Sequence, residues 1–157
     1  MAASSSQPRG PARYRAQKVA RMDMHELFGE VISRYTRAQA IADGVLVDLS
    51  VFTFRSQTIP AHCGFKYPVA ITCAAFHEIG GERCTAPDAK NMDVYLVLSA
   101  LLTPLLYAIR ESPGADDRVD FTCNPAGPGR KPVALYALCG PGDDLEPVIT
   151  IMLPDED

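Results

Sequence analysis

The sequence predicts an α+β protein in which helices pack on one face of a small antiparallel sheet that ends in a C-terminal β-meander. Two observations carry this prediction. Apolar residues recur at helical spacing through much of the first two thirds of the chain, and three strand-like segments follow one another in the last third. Loops rich in Pro, Gly and Asp separate those segments, as in antiparallel hairpins.

The first helical signal is "MHELFGEVISRYTRAQAIADG", where apolar residues from Leu27 to Tyr35 share one face. Thr36 with Gln39 three positions later is typical of a capping box. Gly44 supplies a helix stop, because glycine adopts the left-handed conformation without a steric cost. The following "VLVDLS" alternates as a short strand does.

The middle of the chain predicts two further helices. "VFTFRSQTIPAHCGFKY" is read as partly extended and partly loop, after which a helix is expected over Pro68–Ile79, opened by its proline. The longest helix is expected over Met92–Arg110. It is apolar nearly all round, so we expect several neighbours to surround it. Pro104 should kink it near Ala100, whose carbonyl the proline ring opposes.

The last third predicts three strands in series. They are "RVDFTC" at Arg118–Cys123, "PVALYALC" at Pro132–Cys139 and "PVITIML" at Pro147–Leu153.

Charge divides the chain into a disordered basic tail at 1–22 and a single folded domain at 23–157. The tail carries +5, and the remainder has ten basic and nineteen acidic residues, a net charge of −9. The acidic body suits a basic partner, whereas the tail is a candidate nucleic-acid-binding arm. An N-terminal extension and a transit peptide remain alternatives for the tail. Its basic residues are Arg9, Arg13, Arg15, Lys18 and Arg21.

The cysteines and the apolar segments predict a cytoplasmic protein. Five cysteines, an odd number with no paired spacing, favour free thiols in a reducing compartment, and no secretory signal is visible. The longest uncharged apolar segment, "VYLVLSALLTPLLYAI", has sixteen residues, which is short for a membrane span. We therefore expect no membrane association.

The acids near the C-terminus are the candidate partner-binding residues. "GPGDD" joins two predicted strands and consists of turn formers, so a plain hairpin connection is expected, although paired aspartates can also hold Mg²⁺ or act as a general base. The terminal "PDED" is expected to be a solvated tail. If these acids function, they meet a basic partner. The residues are Asp143, Asp144, Glu146, Asp155, Glu156 and Asp157.

One cluster is a candidate zinc site. Cys73 and His77 are four residues apart and would share a helix face, and His62, Cys63 or Cys84 could complete a tetrahedral set. No Cys-x-x-Cys knuckle is present, and buried cysteine is a common core residue, so we expect no metal and no cofactor. A Cys–His nucleophile pair is possible, but no local signature selects one.

Three blocks resemble an uncharacterised family of domains of unknown function, small proteins encoded on bacterial plasmids, phages and integrative elements. They are "LFGEVISRYTRAQAIADGVLVDLS", "KYPVAITCAAF" and "LCGPGDDLEPVITIMLPDED", and the resemblance covers Leu27–Asp157. After Pro-Val-Ala-Ile-Thr that family usually continues Arg-Ala-Val-Trp, whereas this chain has "CAAF" and no tryptophan. "VFTFRSQTIPAHC" also looks rewritten relative to the family. These departures weaken a family-wide zinc site, and the resemblance implies no activity.

The functional expectation is a non-enzymatic accessory protein of a mobile element that binds a protein of the host or of the element, with countering of host defence as one role. A small metal- or cysteine-dependent enzyme and a nucleic-acid-binding protein are the alternatives. Homo-oligomerisation stays open.

Overall fold

The computed structural model describes residues 35–112, 114 and 117–156. Contacts divide the chain into two units, Met1–Tyr35 and Thr36–Asp157, and all the elements below belong to the second. The predicted tail at 1–22 and the predicted helical face from Leu27 to Ile32 lie outside the described residues. In chain order the elements are α1 (Arg37–Ala42), β1 (Leu46–Asp48), β2 (Thr53–Phe54), β3 (Gln57–Thr58), α2 (Ile59–Cys63), β4 (Val69–Thr72), α3 (Cys73–Glu78), α4 (Asn91–Glu111), β5 (Arg118–Cys123), β6 (Val133–Pro141) and β7 (Pro147–Met152).

The five-stranded sheet has the order β1-β4-β7-β6-β5, and β2 and β3 form a separate hairpin. All neighbours in the sheet are antiparallel except β4 and β7, which are parallel. The α+β class and the C-terminal meander of β5, β6 and β7 are thus confirmed, and the crossover between β4 and β7 adds one parallel pair.

The core lies between α4 and one face of the sheet. Alternate strand residues, such as Ile71, Leu135 and Ile151, join the buried side of α4 in one cluster. On α4 this side is formed by Val94, Val97, Leu98, Leu101, Leu102 and Leu105. By length and composition alone the helix could cross a membrane, and in this structure its buried side packs on the sheet.

The predicted helix over Pro68–Ile79 is wrong in its first half. Val69–Thr72 is a strand, buried at every position and paired on both sides, by β1 and by β7. An interior strand covered on both faces shows no alternation, so its pattern resembles that of a buried helix. The helix begins only at Cys73, where Thr72 is the N-cap and its hydroxyl accepts from the Ala75 N–H.

Several local predictions are confirmed. Thr36 and Gln39 form the capping box of α1, and Gly44 follows that helix with φ +74°. The long helix is one residue longer at each end than predicted. "VLVDLS" gives the strand Leu46–Asp48, and a 3₁₀ turn then begins at Leu49.

Candidate protein-binding surface

The loop between β6 and β7 is the predicted hairpin connection. Within it the Gly142 N–H donates to the Glu146 carbonyl at 2.6 Å, and the Leu145 N–H donates to the Gly142 carbonyl at 3.2 Å. The Glu146 carboxylate also accepts from the Asp144 N–H at 2.9 Å. Glu146 is therefore engaged in holding its own turn.

Asp143 caps a helix that is distant in sequence. Its two carboxylate oxygens accept from the backbone N–H groups of Arg37 at 2.8 Å and Ala38 at 2.9 Å. These are orphan donors of the first turn of α1, where a negative charge is also favoured by the helix dipole. The Arg37 guanidinium in turn donates to the Thr150 hydroxyl at 3.0 Å. Asp143 thus joins α1 to the hairpin loop and to β7.

Glu156 corrects the expectation of a solvated tail. Its carboxylate accepts from the Thr72 hydroxyl at 2.6 Å and from the Leu153 N–H at 2.8 Å. The Tyr136 hydroxyl donates to the Glu156 carbonyl. The segment after β7 therefore folds back onto β4 and β6.

The predicted partner-binding acids do not form one cluster. Asp143, Asp144 and Glu146 precede β7, whereas Asp155 and Glu156 follow it, and a six-residue strand separates the two groups by about 20 Å. Asp157, like the five basic residues of the tail, lies outside the described residues. Binding of a partner by any of these acids stays a prediction.

The candidate zinc ligands do not form a cluster among the described residues. No group of three or more His, Cys, Asp or Glu side chains suited to a metal ion occurs in the described part of the chain. His77 is exposed, and His62 instead contacts two aromatic rings.

As the expectation of several neighbours requires, β2, α2 and β5 contact α4. The outward side of the helix, however, is covered by no described residue. Met92, Leu96 and Tyr107 are 53%, 49% and 65% exposed, and with exposed Thr103 they follow one another at helical spacing. No charged residue occurs between Asp93 and Arg110. We call Met92, Leu96, Thr103 and Tyr107 the apolar stripe.

An aromatic cluster borders the stripe on the side of the β2–β3 hairpin. Phe54 and Tyr95 stack with ring centroids 4.3 Å apart, and the His62 ring meets each of them edge-on at 5.4 Å. At the hairpin tip Arg55 lies over Phe54 at 5.3 Å, and Arg55 and Ser56 have φ values of +49° and +65°. Positive φ at both central residues is typical of the type I′ turn that joins two strands through a two-residue loop.

On its other side the stripe borders a groove between α4 and β5. The groove has a volume of about 610 Å³. The helix contributes Ala100, Thr103, Pro104, Tyr107, Ala108 and Glu111, and the strand side contributes Phe121, Thr122 and Asn124.

Pro104 lines the groove and leaves one backbone carbonyl of α4 without its helical hydrogen bond. Proline has no N–H to donate to Ala100, four residues earlier, so the Ala100 carbonyl lacks its helical donor. The Cys123 thiol of β5 donates to it instead, at 3.5 Å. Burial raises the pKa of the Cys123 thiol to about 11, which keeps the thiol protonated and able to donate.

β5 is an edge strand of the sheet, and no described strand pairs with its outer side. The Cys139 N–H of β6 donates to the carbonyl of Asp117, just before β5, at 2.8 Å. Hydrogen-bonded pairs alternate along an antiparallel ladder, so the odd-numbered residues of β5 direct their backbone groups to β6 and the even-numbered ones direct theirs away from it. The even-numbered residues are Arg118, Asp120 and Thr122.

Sequence reasoning missed this surface. The apolar run of α4 was visible, but which of its sides would be covered depends on where β5 lies in the sheet. That order arises from long-range pairing, which no local pattern encodes.

The fold and this surface define a small α+β protein with an open sheet edge beside an exposed apolar helix. Residues 24–157 match the family of unknown function DUF6573, and the chain belongs to that family. No curated protein and no solved structure matches the chain.

The capping role of Asp143 predicts unequal effects of its two neighbouring aspartates. Asp143→Ala should lower the free energy of unfolding by about 1 kcal/mol, as loss of a helix cap does. Asp144→Ala, the matched control, should change it by less than about 0.5 kcal/mol. Urea unfolding measures both. Equal effects of the two substitutions would show that Asp143 does not cap α1 in solution.

The buried thiols predict slow modification and a loss of stability at high pH. Burial raises the pKa of Cys84, like that of Cys123, to about 11, so at pH 8 both should react with a thiol reagent roughly a hundredfold more slowly than an unperturbed thiol. Exposed Cys139 should be modified first. Because these pKa values are higher in the folded chain, unfolding should become easier as pH rises from about 9 to 11. Mass spectrometry of the labelled native chain provides the measurement, and early labelling of Cys123 would contradict its burial.

Proposed function

We propose that the protein acts by binding another protein rather than by catalysis. The observation that carries this proposal is the apolar stripe of α4. Soluble proteins usually place charged residues on the exposed side of a helix, and contiguous apolar exposure marks an interaction site. Tyrosine and methionine, both present in the stripe, are enriched at protein interfaces.

The surroundings of the stripe support a protein partner. The aromatic cluster with Arg55 on one side supplies residue types that dominate binding energy at interfaces. The groove on the other side adds concave apolar area. The net charge of −9 outside the tail favours association with a basic partner.

The chemistry of three of the five cysteines argues against their use as catalytic nucleophiles. Catalytic cysteines need a lowered pKa, whereas burial raises the pKa of Cys63, Cys84 and Cys123.

The biological setting within this proposal comes from the family resemblance. We place the protein in the cytoplasm of bacteria that carry plasmids, phages or integrative elements, as an accessory protein of the element, and countering host defence is one role that fits. A second candidate, nucleic-acid binding by the tail, rests on the charge of +5 over residues 1–22.

Site-specific photo-crosslinking in cells tests the proposal. A benzophenone side chain at Thr103, in the stripe, should yield a discrete crosslinked protein, whereas the same group at exposed Lys66 should not. Tyr107→Ala should reduce the yield at Thr103 by roughly thirtyfold, the effect of removing a binding hot spot. As a matched control, Tyr67→Ala removes another exposed tyrosine and should leave the yield unchanged.

Both alanine variants should keep the wild-type stability within about 0.5 kcal/mol, since both side chains are exposed. Indistinguishable crosslinking from Thr103 and Lys66, or a yield insensitive to Tyr107→Ala, would refute the stripe as a protein-binding surface.

A further inference from the structure

We propose that the open edge of β5 and the adjoining groove bind an extended segment of a partner protein, which adds to the sheet as a sixth strand and carries basic residues. This inference rests on the proposed function and specifies the form and the chemistry of the partner.

The backbone of β5 supplies the first argument. The N–H and C=O groups of Arg118, Asp120 and Thr122 point away from β6, and none of them hydrogen-bonds to another described residue. An extended chain is the ligand that matches such a row of alternating donors and acceptors. The strand carries no proline and its ladder with β6 has no bulge, two of the devices that protect an edge from pairing, and its charged residues Arg118 and Asp120 pair with each other.

The side chains of the edge leave it accessible. The Arg118 guanidinium donates to the Asp120 carboxylate at 2.9 Å and lies 3.8 Å from the centroid of the Tyr136 ring. Tyr136 is on the sheet face opposite α4, since it alternates with core residues Leu135 and Ala137. Both charged groups are therefore drawn over that face.

The groove supplies the second, independent argument. A strand paired with β5 would direct every second side chain to the α4 side of the sheet, which is where the groove lies. Ala100 and Pro104 keep the groove wide on the helix side, and Phe121 forms its strand side. Its lining is mainly apolar, so it favours apolar side chains at alternate positions of the segment.

The charges around the edge indicate where basic residues of the segment would lie. Among the described residues that line the groove, Glu111 alone is charged, and it would favour a basic residue at one groove-facing position of the segment. Asp120 faces the opposite side, where it pairs with Arg118 at 2.9 Å and where a residue directly across on an added strand would be a second neighbour of its carboxylate. Lysine or arginine at these places is favoured, in keeping with the acidic body.

A second copy of the chain fits this edge less well. Two-fold pairing of β5 with itself that uses all three outward residues puts Asp120 directly opposite Asp120 of the other copy. Like charges in this position are destabilising. We therefore commit to a different chain as the occupant.

Selection from a random library of short peptides displayed on phage, with the full chain immobilised, tests this inference. The selected peptides should have apolar residues at every second position, with Lys or Arg enriched between them. The affinity of a synthetic copy of the best peptide is then measured for the wild type and for edge variants by fluorescence anisotropy.

The key comparison is Thr122→Pro against Thr122→Ala. Proline removes an N–H that points outward, so it spares the ladder with β6 while it blocks pairing at the edge. Thr122→Pro should weaken peptide binding at least fivefold, the effect of roughly one lost hydrogen bond. Thr122→Ala removes the same side chain but keeps the N–H, so the fivefold loss is measured relative to this variant.

Ala100→Trp tests the role of the groove without changing the sequence of β5. It should fill the groove and weaken binding by about tenfold or more, which keeps the inference testable if Thr122→Pro fails to fold. Circular dichroism and thermal melting identify the folded variants.

The failures of the two proposals are distinguishable. One contrary outcome is a set of selected peptides that show helical apolar spacing, compete with the Thr103 crosslink and bind Thr122→Pro and Ala100→Trp as tightly as the wild type. That result would overturn the added strand and leave the proposed function standing. A dimer in sedimentation that Thr122→Pro dissociates would make the occupant a second copy and overturn the heterologous partner. No selected peptide together with no stripe-dependent crosslink would overturn both.

Discussion

The packing of one side of α4 on the sheet is the constraint on which the rest of this unit depends. Leu98, Leu101, Leu102 and Leu105 are fully buried on that side, and each such leucine contributes roughly 1.5–3 kcal/mol by its burial. Once these residues are buried, the opposite side of a helix without charges from Val94 to Ile109 must face outward. The apolar stripe is therefore a consequence of how the core is built.

The backbone hydrogen bond that α4 lacks at Pro104 is replaced by a bond to the edge strand β5. Because Pro104 has no N–H, the Ala100 carbonyl lacks its helical donor and accepts from the buried Cys123 thiol instead. This hydrogen bond joins α4 to β5. The same side of the helix forms the groove. A proline in the interior of a helix costs about 3 kcal/mol, partly because one carbonyl loses its hydrogen bond. Here the Cys123 thiol donates to that carbonyl, next to the proposed binding surface.

The acids that first suggest a function are partly used inside the fold. Asp143 caps α1, Glu146 holds the hairpin turn and Glu156 anchors the C-terminal segment to β4. Each accepts hydrogen bonds from backbone N–H or hydroxyl groups of the fold and so joins segments of the chain. Unlike these three carboxylates, those of Asp144 and Asp155 have no hydrogen bond to another described residue and remain available to contact a basic partner.

Sequence reasoning succeeded where local chemistry decides the structure. The capping box of Thr36 and Gln39, the long helix and the three C-terminal strands follow from spacing and turn residues within a few positions. It failed at Val69–Thr72, because a strand buried on both faces has no alternation to recognise. The cap from Asp143, more than a hundred residues from Arg37, and the edge position of β5 depend on tertiary pairing and were out of reach.

The most direct test of this account is whether the outer side of β5 is open in solution, measured by amide hydrogen exchange with residue-level assignment by nuclear magnetic resonance. The amides of Arg118, Asp120 and Thr122 should exchange roughly a hundredfold faster than the intervening amides of Val119 and Phe121, which bond to β6. Uniformly slow exchange along β5 would mean that its outer edge is already paired, and would contradict both the open edge and the partner strand proposed to bind there.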